Sequence, residues 1–352
     1  MQTYIKPGQP WLDTKGERIQ AHGGALFFED GVYYWYGENK EKTDGKSAVW
    51  TYGIRAYSSR DLCSWEDEGL IIPPVLDDPQ SNLAPEKRVD RPHIIKNDKT
   101  GQYVCWIKLS GPEACFLLLT ADRFLGPYTI VRENFRPFDS KVGDFDLLKR
   151  EDGSVYLYFD ANHAGITCTR LTDDYLDVTG PVTRQYEGLH PPFNREGVTL
   201  FERGGTIYLV TSGQTGYIPN QSDCAAADDP LGPFIPIGDP HVDDDSRASF
   251  NSQISQVFHV PGRDLYLALA DRWVPEYVVD ARRADLFTRA IGAHFDPEKY
   301  HVEPAEAMEL RSSPMLESAN TSISDYVWLP VEWEGSMPRI RWRDAWNLEE
   351  LQ

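Results

Sequence analysis

Three carboxylic acids and an amide, Asp90, Asp144, Glu196 and Gln253, each stand at the head of an apolar, β-rich run, and His22 and Arg91 share that position. Taken singly, such an acid is most often a turn or strand-edge residue with no task, because short polar side chains cap turns. Recurrence at one phase of a repeat changes that reading, because equivalent positions then face one another in space. Carboxyls crowded into a confined mouth perturb each other's pKa, which acid–base catalysis requires. With 10 Trp and 18 Tyr available to stack on sugar rings, the chemistry this suits is glycoside hydrolysis, in which one carboxylic acid protonates the leaving oxygen. Trp35, Tyr36, Trp106, Tyr217 and Trp273 are candidates for stacking, although for any one of them core packing is the commoner role. Glu187 is a competing acid, although it lies outside the repeat phase. No Gly-x-Ser-x-Gly elbow, phosphate-binding Gly-rich loop or His-Glu-x-x-His motif occurs, and the eight His and five Cys show no metal-ligand spacing.

The elements that must position these residues are hairpins. Asn194 to Gly213 reads as strand, Gly204-Gly205 turn, strand, and the same pattern recurs around Gly31, Gly101, Gly153 and Gly262. Five repeats of about fifty residues, each with room for four strands, predict an all-β, five-bladed β-propeller. A two-sheet sandwich is the alternative, and it leaves the four-strand period unexplained. The expected organisation is one propeller domain over 1–352 with an insertion at about 275–322, in which Asp280 to Phe287 has a short helical pattern. The N- and C-terminal strands are expected to share the closing blade, the segment near 18–21 sealing the ring because closure removes free edges.

A net charge of -20 argues against nucleic acid and anionic membranes as partners. No apolar run approaches the roughly 18 residues of a membrane span, and no signal peptide is visible at the N-terminus. Five unpaired-looking cysteines suit a reducing compartment, so a cytoplasmic location is expected. Oligomeric state is not readable.

At this point a resemblance enters. Ala21-His22-Gly23-Gly24, Tyr33 to Glu38, Gly53 to Leu62 and Asp90-Arg91-Pro92 resemble segments of glycoside hydrolase family 43, as do Arg195-Glu196, Thr211-Ser212-Gly213 with Thr215-Gly216, Ser252-Gln253, Asp271-Arg272-Trp273 and Tyr326 to Pro330. Within the family the likeness is greatest to the exo-β-1,3-galactanase branch. The resemblance implies a five-bladed propeller and an exo-acting, inverting hydrolase that releases galactose from β-1,3-linked galacto-oligosaccharides. It implies Glu196 as general acid, Asp144 as the acid that orients it and holds its pKa up, and Gln253 with Asp90 at the attacking water. Glu38 and Arg91 match positions that bind the first sugar, and His22, Trp106, Thr215, Tyr217 and Trp273 complete the expected binding set.

Two departures stand out. The aspartate base usual in the family's first blade is replaced by His22-Gly23-Gly24, and Asp90 stands where the branch has a glutamate. Other family 43 specificities (β-xylosidase, α-L-arabinofuranosidase, β-galactofuranosidase) and a non-catalytic sugar-binding propeller are the alternatives. No cofactor is required on this reading. A structural calcium is the metal the family brings to mind, without a dedicated loop in this sequence to hold it.

Overall fold

The computed structural model describes residues 3–311, 313 and 318–351. The outermost residues of the expected 1–352 domain, and residues 312 and 314–317 of the expected insertion, lie outside the described residues. Strands collect into five small antiparallel sheets, the blades of a five-bladed β-propeller. The innermost strands are His22–Glu29, Val89–Lys96, Val142–Lys149, Arg195–Arg203 and Gln253–His259 for blades I to V. Each is followed by its hairpin partner, and the turn glycines Gly31, Gly101, Gly153, Gly205 and Gly262 all have φ between 76 and 86°, a region L side chains avoid. Inner strands are buried along most of their length, whereas outer strands such as Thr129–Phe135 and Val178–Gln185 are largely open to solvent.

Apolar side chains are concentrated between neighbouring blades. One cluster joins I to II through Tyr36, Ile94 and Leu117, a second joins II to III through Trp106, Phe116 and Phe159, and others join III to IV and IV to V. The fifth interface, between V and I, is built from tryptophans: Trp35 and Trp328 have ring centroids 4.4 Å apart, and Trp11 packs on both at 5.2 and 4.9 Å.

Closure differs from the sequence expectation. Blade V takes its strands from Gln253–His259, Tyr266–Arg272, Asp325–Glu334 and Met337–Arg341, with the short His241–Val242 parallel at its edge, and includes no N-terminal strand. Residues 18–21 form no strand of the sheet. Arg18 bridges back to Leu12 and puts its guanidinium on Asp325 at 2.8 Å, while Ile5 pairs with Trp346 in an isolated bridge. The seam is therefore sealed by packing: Ile5, Trp11, Ile19 and Ala21 fill the cluster between blades I and V instead of extending a sheet.

Between Arg272 and Asp325 the chain forms two helices, Ala281–Phe295 and Pro304–Leu310. The first begins where the sequence predicts, Asp280 accepting from the Arg283 N–H at 2.8 Å as N-cap. It runs two turns past Phe287 because Leu286, Phe287 and Gly292 continue a buried stripe. No helix among the described residues is long and apolar enough to cross a membrane.

Candidate active site

Each of the first four inner strands starts with an irregular register against its partner. Shifts fall between His22 and Ala25, Asp90 and His93, and Glu196 and Thr199, and in blade III between Ala161 and Phe159 on the partner strand. Such bulges re-aim side chains. Here they follow residues at the axis, and Gly23, Arg91 and Gly197 each carry a positive φ of 54, 47 and 61°. His22, Asp90 and Glu196 are in phase, paired with Glu38, Lys108 and Ser212. Asp144 is two residues later than the sequence pattern suggests, since Val142 holds the equivalent pairing with Ala161. Asp144 falls inside that irregular stretch, where strict alternation is broken, and its side chain still reaches the same pit as Asp90 and Glu196.

These side chains meet in a pit of about 340 Å³ whose lining includes Glu38, Asp90, Arg91, Asp144, Glu196, Gln253, Tyr217 and Trp273. Arg91 ties it together. Its Nε lies 3.1 Å from Asp144 Oδ1, its Nη2 donates to Gln253 Oε1 at 2.8 Å, and its backbone N–H donates to Glu38 Oε1 at 2.9 Å. Lys108 adds a second cation 2.7 Å from Asp144 Oδ1, and the Gly197 N–H donates to Asp144 Oδ2 at 3.0 Å. The other Glu38 oxygen faces Lys40 Nζ at 2.7 Å. Gln253 Nε2 donates to Ser212 Oγ at 2.8 Å. Asp90 accepts from Trp50 Nε1 at 2.6 Å and from the Ser110 hydroxyl. Trp50, Tyr217 and Trp273 form an aromatic wall, with centroids 6.4 and 5.3 Å apart between successive rings.

The electrostatics separate the two central carboxyls. Burial pushes Glu196 up to about 8, and the neighbouring Asp144 and Asp160 charges add to it. Burial would push Asp144 up as well, but Arg91 and Lys108 overcome it and hold the group below the ordinary carboxylate range. One acid thus keeps its proton at neutral pH while its neighbour is ionised. Glu38 is pushed up to about 7, chiefly by burial, with Lys40 opposing and Asp90 reinforcing.

Three residues of the expected binding set do not reach the pit. Trp106 is fully buried between blades II and III, its indole N–H spent on Tyr175 O at 2.9 Å. Its place on a central apolar strand makes it core. His22 is also buried, Nδ1 against Asp271 Oδ1 at 3.1 Å and its ring stacked on Tyr326 at 4.7 Å. It supports the backbone beneath the site, where Asp271 Oδ2 accepts from the Gly23 N–H at 3.0 Å. Thr215 lines a separate cavity of about 550 Å³ beside the helix 281–295, and its hydroxyl donates to Ile218 O at 2.5 Å. Trp35 and Tyr36 are core residues, and Glu187 is solvent-facing, near Arg184.

Sequence reasoning missed Lys108, Trp50, Ser110 and Ser212. Lys108 had a signal: it is the one charge in the apolar strand Tyr103–Leu109, where an unpaired cation is costly. Trp50 and Ser110 lie in loops with no periodicity to place them.

A calcium ion held by the protein takes six to eight oxygen donors. Among the described residues no group of three or more His, Cys, Asp and Glu side chains could hold a metal ion.

The profile of Glycosyl hydrolases family 43 matches residues 25–267, which run from within the first strand of blade I to the start of the second strand of blade V. The chain belongs to this family. Comparison with curated proteins gives no match. Among solved structures, a family 43 β-1,3-galactosidase is 27% identical with a TM-score of 0.79, and the alignment covers 99% of this chain and 64% of that one. A second, solved with galactodeoxynojirimycin, is 25% identical with a TM-score of 0.77, covering 98% of this chain and 100% of that one. An exo-β-1,3-galactanase from Phanerochaete chrysosporium, solved with galactose, shares the fold at 22% identity and a TM-score of 0.77, covering 98% of this chain and 68% of that one. This family 43 chain thus spans less than two thirds of the length of the first of these and all of the second.

Proposed function

We propose that the pit is the active site of an exo-acting, inverting glycoside hydrolase that releases galactose from β-1,3-linked galacto-oligosaccharides. The observation that carries the reading is the placing of Glu196 and Asp144 in one pit, with burial favouring the protonated form of the first and the paired Arg91 and Lys108 the ionised form of the second. Glu196 gives its proton to the glycosidic oxygen as the bond from the anomeric carbon breaks and its electrons pass to that oxygen. Asp144 stays charged, pinned by Arg91, Lys108 and the Gly197 N–H, and disfavours ionisation of Glu196 until the proton is needed. A water attacks the opposite face of the ring. Gln253, whose oxygen is oriented by Arg91, accepts a hydrogen bond from that water, and Asp90 takes its proton. Glu38 and the aromatic wall hold the terminal sugar.

Exo action is compatible with Glu38, Asp90 and Arg91 lying buried together at one side of the pit, where they can surround a terminal sugar. The sugar and linkage draw support from the two β-1,3-galactosidases above. Incubation with β-1,3-galactobiose and -triose should liberate galactose, with the α-anomer appearing first by proton NMR. Absence of galactose would remove the specificity, and tight binding of either sugar without turnover would make the protein a lectin-like binder.

A further inference from the structure

The pit has an open side, and one titratable residue on it has no part in the scheme above. His163 lines the pit with Glu196 and Lys108, yet its side chain is 65% exposed, in contrast to Glu38 at 2% and Arg91 at 5%. A saccharide entering an exo site non-reducing end first leaves its next unit at the opening, beside the acid that protonates the leaving oxygen. His163 stands at that opening.

Its position is fixed to a degree unusual for an exposed turn residue. Asn162 and His163 both have positive φ, 58 and 54°. The turn is pinned by Asn162 N–H to Lys141 O at 2.9 Å and by Asn194 Nδ2 donating to His163 O at 2.8 Å. The imidazole Nδ1 sits 2.6 Å from Asp160 Oδ2, an oxygen that also accepts from Gln214 Nε2 at 2.9 Å. Asp160 is fully buried. A Cβ on Gly143 would stand 2.3 Å from that same oxygen, so a glycine is needed opposite it. Burying a carboxylate is costly unless it is well paired, and the partner here is a ring at the mouth of the site. With Nδ1 engaged, the Nε2 edge has no hydrogen bond among the described residues.

We propose that His163 binds the leaving sugar, its Nε2–H donating to a hydroxyl of the unit beyond the cleaved bond, with Asp160 as its positioning residue. This rests on the reading of the pit as a glycosidase site. Two of the three proton arrangements of the ring put a hydrogen on Nε2: the imidazolium paired with Asp160, and the neutral ring whose Nδ1 accepts from Gln214, 2.7 Å away. The Asp160 hydrogen bond raises the His163 pKa, with burial opposing, and so favours the first.

The test compares kcat/KM on β-1,3-galactobiose with that on an aryl β-galactoside, whose leaving group offers no hydroxyl to His163. A hydrogen bond to a charged group predicts that His163→Ala loses about 10- to 100-fold on the disaccharide and far less on the aryl substrate, so the ratio of the two collapses. His163→Gln, which keeps a donor, should recover part of the ratio. Asp160→Asn should raise KM for galactobiose more than it lowers kcat. Equal losses on both substrates, or an unchanged ratio, would overturn the assignment. Wild-type protein inactive on galactobiose would instead remove the reading of the pit, and this proposal with it, so the wild-type values and the variant ratios judge the two separately.

Discussion

Glu196 and Asp144 are both carboxyls at the axis of one channel, and what distinguishes them is their neighbours. Asp144 has two cations and a backbone N–H; Glu196 has two anions and a half-buried site. Replacing Glu196 with Gln should lower kcat/KM by about 10²–10⁴-fold on galactobiose and less on activated aryl galactosides, since these need little protonation. The wild-type rate should fall as pH rises through about 8, the value to which burial pushes Glu196, because the proposed mechanism uses the acid form. That alkaline limb should be absent from the variant, and a wild-type profile flat to pH 10 would contradict the assignment. The same shift has a stability consequence of defined sign. A carboxyl with a raised folded-state pKa binds more proton folded than unfolded between its ordinary value and about 8, so it weakens the fold as pH rises across that window. Glu196→Gln should therefore match or exceed the wild-type melting temperature at pH 9 while losing activity.

At the scale of elements, the bulges at the head of the inner strands do the positioning. Gly197 has φ +61°, and a Cβ there would lie 2.6 Å from Ser212 Oγ and 3.0 Å from Gln253 Nε2. Gly197→Ala should thus cost about 1–3 kcal/mol of strain and push Gln253 off its bond to Ser212. The expected result is a loss of kcat of at least tenfold in protein whose circular dichroism is unchanged, and full activity would show that the amide needs no such support. This level of organisation was only partly legible in the sequence. The five hairpins and their turn glycines were, because a period-two apolar pattern and a residue needed at positive φ leave local marks. The matched acids were legible as a phase, although a bulge moved Asp144 two residues from the pattern. The tertiary partners were not: nothing local distinguishes Trp106, which fills the interface between blades II and III, from Trp273, which faces the pit. His22 shares the phase of Asp90 and Glu196, yet Asp271 and Tyr326 draw it inward.

For the molecule as a whole, the ring closes through side chains. Five tryptophans, Trp11, Trp35, Trp65, Trp328 and Trp346, are buried in the cluster between blades I and V, and Trp346 donates its indole N–H to Trp328 O at 2.8 Å. Trp346→Ala should cost about 3–5 kcal/mol, measured by chemical denaturation. Amide exchange should rise first in blades I and V and last in blade III, and uniform exchange across all five would argue against a localised seam.

That seam lies between the first and last blades, both of which supply residues to the pit. Arg91 on blade II is hydrogen-bonded to Glu38 on blade I and, across the break, to Gln253 on blade V. A slight parting of the first and last blades, too small to melt any strand, would stretch the contact holding Gln253 to Arg91. Hydrolysis is then the most sensitive gauge of whether the circle is shut, and mild heating or low denaturant should silence the enzyme well before its spectroscopic signals move.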